Sequence, residues 1–113
     1  MKLLFYIMVK TDLLDEVLAE LAKNDVHGVT VVGGRGMAKL LSSNHDEDEL
    51  PFLGTVRAFL QPEHEQHDVL LIALPEAKVP VAISAIEAIV GDLTLKNNGV
   101  AFTVPVDYSK GLF

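Results

Sequence analysis

Residues 68–75 read DVLLIALP, and this stretch decides the fold of the 113-residue chain. Six apolar residues lie between Asp68 and Pro75, and a short apolar run that ends at a proline predicts a β-strand. Residues 2–9 (KLLFYIMV) form a second such run, which fits a strand buried on both faces or central in a sheet. Two strands of this kind indicate a sheet-based domain with an aliphatic core.

Each of these strands is followed by a segment whose apolar residues recur at helical spacing. After the first, Thr11 or Asp12 predicts an N-cap, and the amphipathic pattern continues to a turn at residues 24–25. After the second, residues 78–90 repeat the pattern, and Gly91 predicts the C-cap. The chain therefore contains two strand–helix units.

Two further strands complete the predicted order. Residues 29–32 are β-branched, with residues 38–41 as a candidate extension, and residues 100–106 follow an Asn-Asn-Gly turn. The order predicts a single α+β domain over residues 1–113, a ferredoxin-like βαββαβ sandwich with both helices on one face of a four-stranded antiparallel sheet. The other face would be aliphatic and would need cover, for which self-association is the natural solution.

Residues 42–67 are predicted to form a long loop between strands two and three. Residues 42–51 are the most polar stretch of the chain, residues 56–60 are a candidate return arm, and Pro62 stops any regular element. Apolar islands within this polar loop are interpreted either as a docking patch for a protein partner or as residues that pack on the chain's own sheet. Their candidate partner-binding residues are Leu50, Phe52, Leu53 and Phe59.

Composition narrows the class of protein. The formal net charge of −7 argues against nucleic acid as the main partner, because phosphate binding depends on Lys and Arg density. The absence of cysteine excludes disulfides, thiolate metal sites and cysteine nucleophiles. No apolar run reaches the roughly 20 residues of a membrane span, and the first residues fit a buried strand better than a signal peptide. We therefore expect a cytoplasmic protein.

A glycine-rich segment is the best candidate for an anion or nucleotide contact. Residues 33–36 read GGRG, where glycines let backbone N–H groups approach a phosphate and Arg35 adds a bidentate cation. The same residues are equally typical of a β-bulge or kink. Lys39, Arg57 and Lys96 are further cations placed to contribute.

Four segments, taken in order, resemble the PII signalling family. GVTV at residues 28–31 is similar to the family's GMTV strand start, and GMAK at residues 36–39 stands where the family has GFGR. DVLLIALP at residues 68–75 resembles its third strand, and GVAFTVPV at residues 99–106 resembles its GKIFVFPV strand. The likeness covers almost the whole chain.

This resemblance implies a homotrimer with effector sites in the clefts between subunits. The effector would be ATP, ADP, AMP or a cyclic dinucleotide, and the long loop would engage a protein partner such as a membrane transporter or a metabolic enzyme. Nitrogen regulation is what the family suggests as the pathway. The implied effector-binding residues are Thr30, Gly34, Arg35, Gly36, Met37, Ala38, Lys39 and Gly99.

The chain departs from the family at several of its phosphate-binding positions. Ala38 replaces a glycine, Asn97 and Asn98 replace the Gly-Asp part of a turn, and Val100 replaces a lysine. The C-terminal arginines that usually hold phosphate are absent, and the loop has no tyrosine for uridylylation. The sequence PVDY at residues 105–108 is similar to the cyclic-di-AMP-binding branch of the superfamily, whose Thr-Gly-Gly signature is missing here.

An alternative class is a divalent-metal-binding trimer of the related ion-tolerance type. Its ligands would be His45, His64 and His67, since imidazoles beside the loop carboxylates suit a zinc-like ion. A solvated polar loop is the competing interpretation. No nucleophile-elbow sequence or catalytic group of residues is present, so we do not expect an enzyme.

Overall fold

Residues 1–35 and 66–112 are described by a computed structural model. They form six main elements, with short 3₁₀ turns at Thr11–Leu13 and Glu76–Lys78 leading into the two helices. This order confirms the predicted α+β, ferredoxin-like βαββαβ architecture. The elements are β1 (Lys2–Met8), α1 (Leu14–Lys23), β2 (Val29–Arg35), β3 (Gln66–Leu74), α2 (Val79–Val90) and β4 (Val100–Pro105).

The four strands form one antiparallel sheet in the order β2-β3-β1-β4. The two apolar runs that decide the fold are therefore its central strands, as expected for β1. Lys2 faces Leu74 and Met8 faces Asp68 in the β1–β3 ladder, while Ile7 faces Val100 in the β1–β4 ladder. One end of the sheet is therefore formed by the last residues of β1 and β2 and by the first residues of β3 and β4.

The core lies between the helices and one face of the sheet. Alternate residues of β1 and β3 point into it, and each fully buried Leu or Ile side chain contributes about 1.5–3 kcal/mol. Among the described residues no helix is both long and apolar enough to cross a bilayer. The fully buried side chains of this core are Leu4, Tyr6, Met8, Val17, Leu21, Leu70, Ile72 and Ile86.

The opposite face of the described sheet carries no Lys, Arg, Asp or Glu side chain. Strand alternation and register assign thirteen positions to this open face, most of them apolar, as the sequence predicts for an aliphatic surface in need of cover. The rings of Phe5 and Phe102 stack across it with their centroids 5.0 Å apart, and Val100 is 58% exposed. The open face consists of Leu3, Phe5, Ile7, Thr30, Val32, Gly34, His67, Val69, Leu71, Ala73, Val100, Phe102 and Val104.

The predicted helix caps have different outcomes. The N-cap at Thr11 or Asp12 is wrong, because Thr11 donates its N–H to the Val9 carbonyl at 3.0 Å and begins a 3₁₀ turn instead. Helix α1 starts after Leu13, which makes no side-chain cap hydrogen bond. The C-cap at Gly91 is confirmed: its φ is 98° and its N–H donates to the Glu87 carbonyl at 3.0 Å.

The structure corrects the boundary between the second strand and the long loop. Strand β2 continues without a bulge through its glycines to Arg35, which pairs with Gln66. Gln66 and His67 therefore belong to β3, although the loop was predicted over residues 42–67. Residues 36–65 lie outside the described ranges, so the strand extension at residues 38–41, the return arm and the apolar islands stay predictions.

Candidate functional site

A cavity of about 700 Å³ opens where β2 ends and β3 begins. Strand β2 contributes its last three residues, β3 contributes its first three, and the 3₁₀ turn before α1 contributes one. The site is therefore built from three consecutive cross-strand pairs and one turn residue. Its lining residues are Thr11, Gly33, Gly34, Arg35, Gln66, His67 and Asp68.

The two glycines create the open space of this cavity. Gly33 pairs with Asp68 and Gly34 pairs with His67, so each polar residue faces a neighbour without a side chain. Among the described residues, a Cβ atom added to Gly33 would have no heavy atom within 4 Å, whereas one added to Gly34 would lie 3.7 Å from Val69 Cγ2. A ligand can therefore approach the backbone most closely at Gly33.

Strand alternation separates the polar groups of the cavity onto two faces. Gln66 and Asp68 share the helix-side face with Arg35, while His67 lies on the open face. Among residues 1–35 and 66–112, the ion pair within 4.0 Å is His27–Asp25, at 3.6 Å. Within these described ranges, the guanidinium of Arg35 and the carboxylate of Asp68 form no ion pair, and both lie on the same face of the sheet.

The remaining predicted effector-binding residues are spread across the sheet. Thr30 is exposed on the open face of β2, four residues before Gly34. Gly99 precedes β4, at the same end of the sheet as Arg35 but at its other edge, about 14 Å away over three strand spacings of about 4.8 Å. The structure therefore brings Gly34 and Arg35 together, but not with Gly99. Gly36, Met37, Ala38 and Lys39 lie outside the described residues.

The loop before β4, residues 91–99, is anchored to the core by Tyr6. The Tyr6 hydroxyl donates to the Asn98 carbonyl at 2.6 Å, and burial raises the pKa of Tyr6 to about 12. Gly99 has a φ of 100°, and a Cβ there would lie 2.5 Å from the Ile7 carbonyl oxygen, so only glycine fits. Sequence reasoning missed this anchor, although a tyrosine at an inward-facing position of an aliphatic strand was the available signal.

Further hydrogen bonds fix the same loop from within. The side-chain oxygen of Asp92 accepts from the Thr94 N–H at 2.9 Å and from the Thr94 hydroxyl at 2.7 Å, and these bonds lower the pKa of Asp92. Asn98 donates its side-chain N–H to the Asp92 carbonyl at 2.7 Å, and Lys10 Nζ donates to the Val90 carbonyl at 3.2 Å. The loop therefore has a defined shape that presents Lys96 at the surface.

A second cavity, of about 490 Å³, lies at the opposite end of the sheet. It is lined by residues 25–28, residues 73–75, Lys78 and Leu112. None of these positions was predicted from the sequence to bind a ligand, and the lining combines several apolar residues with few charged ones.

The predicted metal ligands are only partly within the described chain. His67 lines the first cavity, while His45 and His64 fall in residues 36–65. Within the described ranges, no three His, Cys, Asp or Glu side chains come together in an arrangement suited to a metal ion. The metal-binding alternative therefore stays a prediction.

The sequence was compared with known proteins. No model of a known protein family matches the chain. A search of curated proteins likewise found no match. The resemblance to PII proteins accordingly rests on the four sequence segments described above and on an architecture compatible with it.

Proposed function

We propose that this chain is a PII-like regulatory protein, not an enzyme, which works in the cytoplasm by binding a small effector in the cavity at the end of β2. One observation carries the proposal. Arg35 and Gln66, the paired residues that flank residues 36–65 in the chain, both line that cavity. A ligand bound there touches both ends of the segment, so binding is coupled directly to it.

The effector is an anion of nucleotide size. Arg35 offers the planar fork of donors that binds phosphate bidentately, and the glycine backbone allows close approach. ATP, ADP, AMP and cyclic dinucleotides are the candidates, in keeping with the sequence resemblance. A volume of about 700 Å³ lies within the range of small-molecule sites.

The proposed assembly is a homotrimer whose subunits cover one another's open faces. Apart from His67 at its end, the twelve other positions of that face are uncharged and support self-association, since burying them costs no charge desolvation. Gly99 and Arg35 of one chain lie at opposite edges of its sheet. In the trimer, the edge that carries Gly99 in one subunit would therefore lie against the edge that carries Arg35 in the next and form a second wall of the cavity. In this proposal the complete effector site is a cleft between subunits.

Effector binding then changes the state of residues 36–65, which contact the regulated protein. An element with two arrangements that a ligand biases is the usual basis of such switching. A membrane transporter or a metabolic enzyme is the proposed partner class. The residues proposed to dock on it are Leu50, Phe52, Leu53 and Phe59.

Isothermal titration calorimetry with ATP, ADP, AMP and cyclic dinucleotides tests the effector site. We expect saturable binding of at least one nucleotide and a loss of about ten- to a hundredfold in affinity for Arg35→Gln, from one charged hydrogen-bonding group. Lys23→Gln is the matched control, because Lys23 is an equally exposed cation in the last turn of α1. Binding that Arg35→Gln and Lys23→Gln weaken equally, or no binding at all, would contradict the proposal.

A further inference from the structure

The lining of the first cavity includes one basic and one acidic side chain, which come from two neighbouring strands. Arg35 lies at the rim, where β2 ends, and Asp68 lies two pairs deeper, between Met8 of β1 and Gly33 of β2. Both side chains lie on the helix-side face of the sheet, as diagonal neighbours. A single ligand in the cavity therefore meets one fixed cation and one fixed carboxylate.

Gly33 makes this carboxylate part of the binding surface. Asp68 is only partly exposed, yet the position opposite it has no side chain, and nothing lies within 4 Å of where one would start. Thr11 adds a hydroxyl beside it in the lining. A ligand group seated over Gly33 therefore lies against a hydrogen-bond acceptor that carries a negative charge.

Resting on the effector site proposed above, we infer that Asp68 is a specificity-determining residue that makes the cavity select effectors with few negative charges. Arg35 binds one phosphate, and the carboxylate of Asp68 accepts hydrogen bonds from hydroxyl or amino groups of the same ligand. Each additional phosphate brings charge close to that carboxylate, and among the described residues of the lining Arg35 is the one Arg or Lys side chain that could offset it. A nucleoside monophosphate is thus preferred over the corresponding triphosphate.

The size of the effect follows from Coulomb's law. Two extra charges placed about 7 Å from a carboxylate, at a dielectric between that of a protein surface and that of water, lower the affinity roughly tenfold. The interaction is screened over about 10 Å at 0.1 M ionic strength, so the difference between ligands shrinks as salt is added.

Calorimetric titration of the full chain with AMP, ADP and ATP tests the inference, at low ionic strength with EDTA and again with Mg²⁺. We expect affinity to fall from AMP to ATP, and we expect Asp68→Asn to raise the affinity for ATP about tenfold more than that for AMP. Glu76→Gln is the matched control. It removes the same charge from an exposed residue beyond the far end of β3, about 20 Å from Asp68 at 3.4 Å per residue.

Each outcome decides between the inference and the proposal beneath it. A preference for ATP over AMP in the unmodified protein with EDTA overturns the inference and leaves the effector site standing. Because Mg²⁺ neutralises part of the phosphate charge of ATP, the preference for AMP should narrow when Mg²⁺ is added, and a preference that widens also overturns the inference. The same holds if Asp68→Asn and Glu76→Gln change the three affinities alike, since the effect would then be one of net charge. No binding of any of the three nucleotides overturns this inference, and the nucleotide version of the proposed function falls with it only if cyclic dinucleotides also fail to bind. A circular dichroism spectrum of each variant confirms that it is folded.

Discussion

Replacing Tyr6 by Phe should destabilise the protein at neutral pH and alter how its stability depends on alkali. The variant keeps the buried ring and removes one hydroxyl, so it leaves no sizeable cavity. It also removes the donor that lies 2.6 Å from the Asn98 carbonyl. Leaving that carbonyl without its partner costs about 1–3 kcal/mol of unfolding free energy.

The raised pKa of Tyr6 gives the same variant a second signature. The pKa is about 12 in the folded protein, against 10.0 for an unperturbed tyrosine. Above pH 10 the unfolded chain releases this proton while the folded chain keeps it. The stabilisation from the neutral hydroxyl is therefore complete below pH 10 and is lost as the pH rises from 10 to 12. Its size is at most about 2.7 kcal/mol, at 1.36 kcal/mol per pKa unit.

Urea unfolding followed by far-ultraviolet circular dichroism at several pH values between 7.5 and 11.5 measures both effects. The unmodified protein should lose more stability over the upper part of this range than Tyr6→Phe, so that the gap between them narrows. Tyr108→Phe is the control, because Tyr108 is 80% exposed. Parallel pH profiles of the unmodified protein and Tyr6→Phe, or equal stability of these two proteins at neutral pH, would refute the role assigned to the Tyr6 hydroxyl.

Two other variants test the cavity and the open face. Gly33→Ala should fold normally, because its Cβ meets no atom of the described residues within 4 Å. It should weaken nucleotide binding in calorimetry several-fold by filling the cavity, whereas Gly28→Ala, at a φ of 70°, should lose about 1 kcal/mol of stability. Phe102→Asp should reduce self-association in sedimentation velocity, because it places a charge on the apolar open face beside Phe5, whereas Ser109→Asp in the exposed tail should not. Unchanged binding by Gly33→Ala, or unchanged sedimentation by Phe102→Asp, would contradict these assignments.

The fold could be predicted from the sequence because its strongest signals are local. The apolar runs at residues 2–9 and 68–74 are continuous because β1 and β3 are the central strands. The helices are indicated by the helical spacing of their apolar residues, and Gly91 marks the end of α2. The N-cap prediction was wrong because Thr11, although its side chain suits a cap, lies one turn before the start of helix α1. A 3₁₀ turn separates it from the first residue of α1, and residue preference alone does not measure that distance.

The candidate site could be predicted only in part because it depends on register. The glycines and Arg35 were visible as a motif, but nothing local shows that Gly33 faces Asp68 or that Arg35 faces Gln66. Gln66 and His67 follow a polar segment and therefore resemble loop residues, although pairing with β2 makes them part of β3. Tyr6 was missed for a related reason, since its partner, Asn98, lies 92 residues away in the chain.

The pairing of Arg35 with Gln66 also has an evolutionary consequence. Because Arg35 and Gln66, which flank residues 36–65 in the chain, face each other across the ladder, the distance between these two anchor points is set by the sheet and not by the residues between them. Doubling the length of such a connection costs only about 0.6 kcal/mol of closure entropy. The scaffold can therefore accept a segment of different length or sequence, and hence a different partner, while its core and the paired residues of the cavity stay as they are. The same geometry makes this position a suitable place to graft a recognition peptide by design.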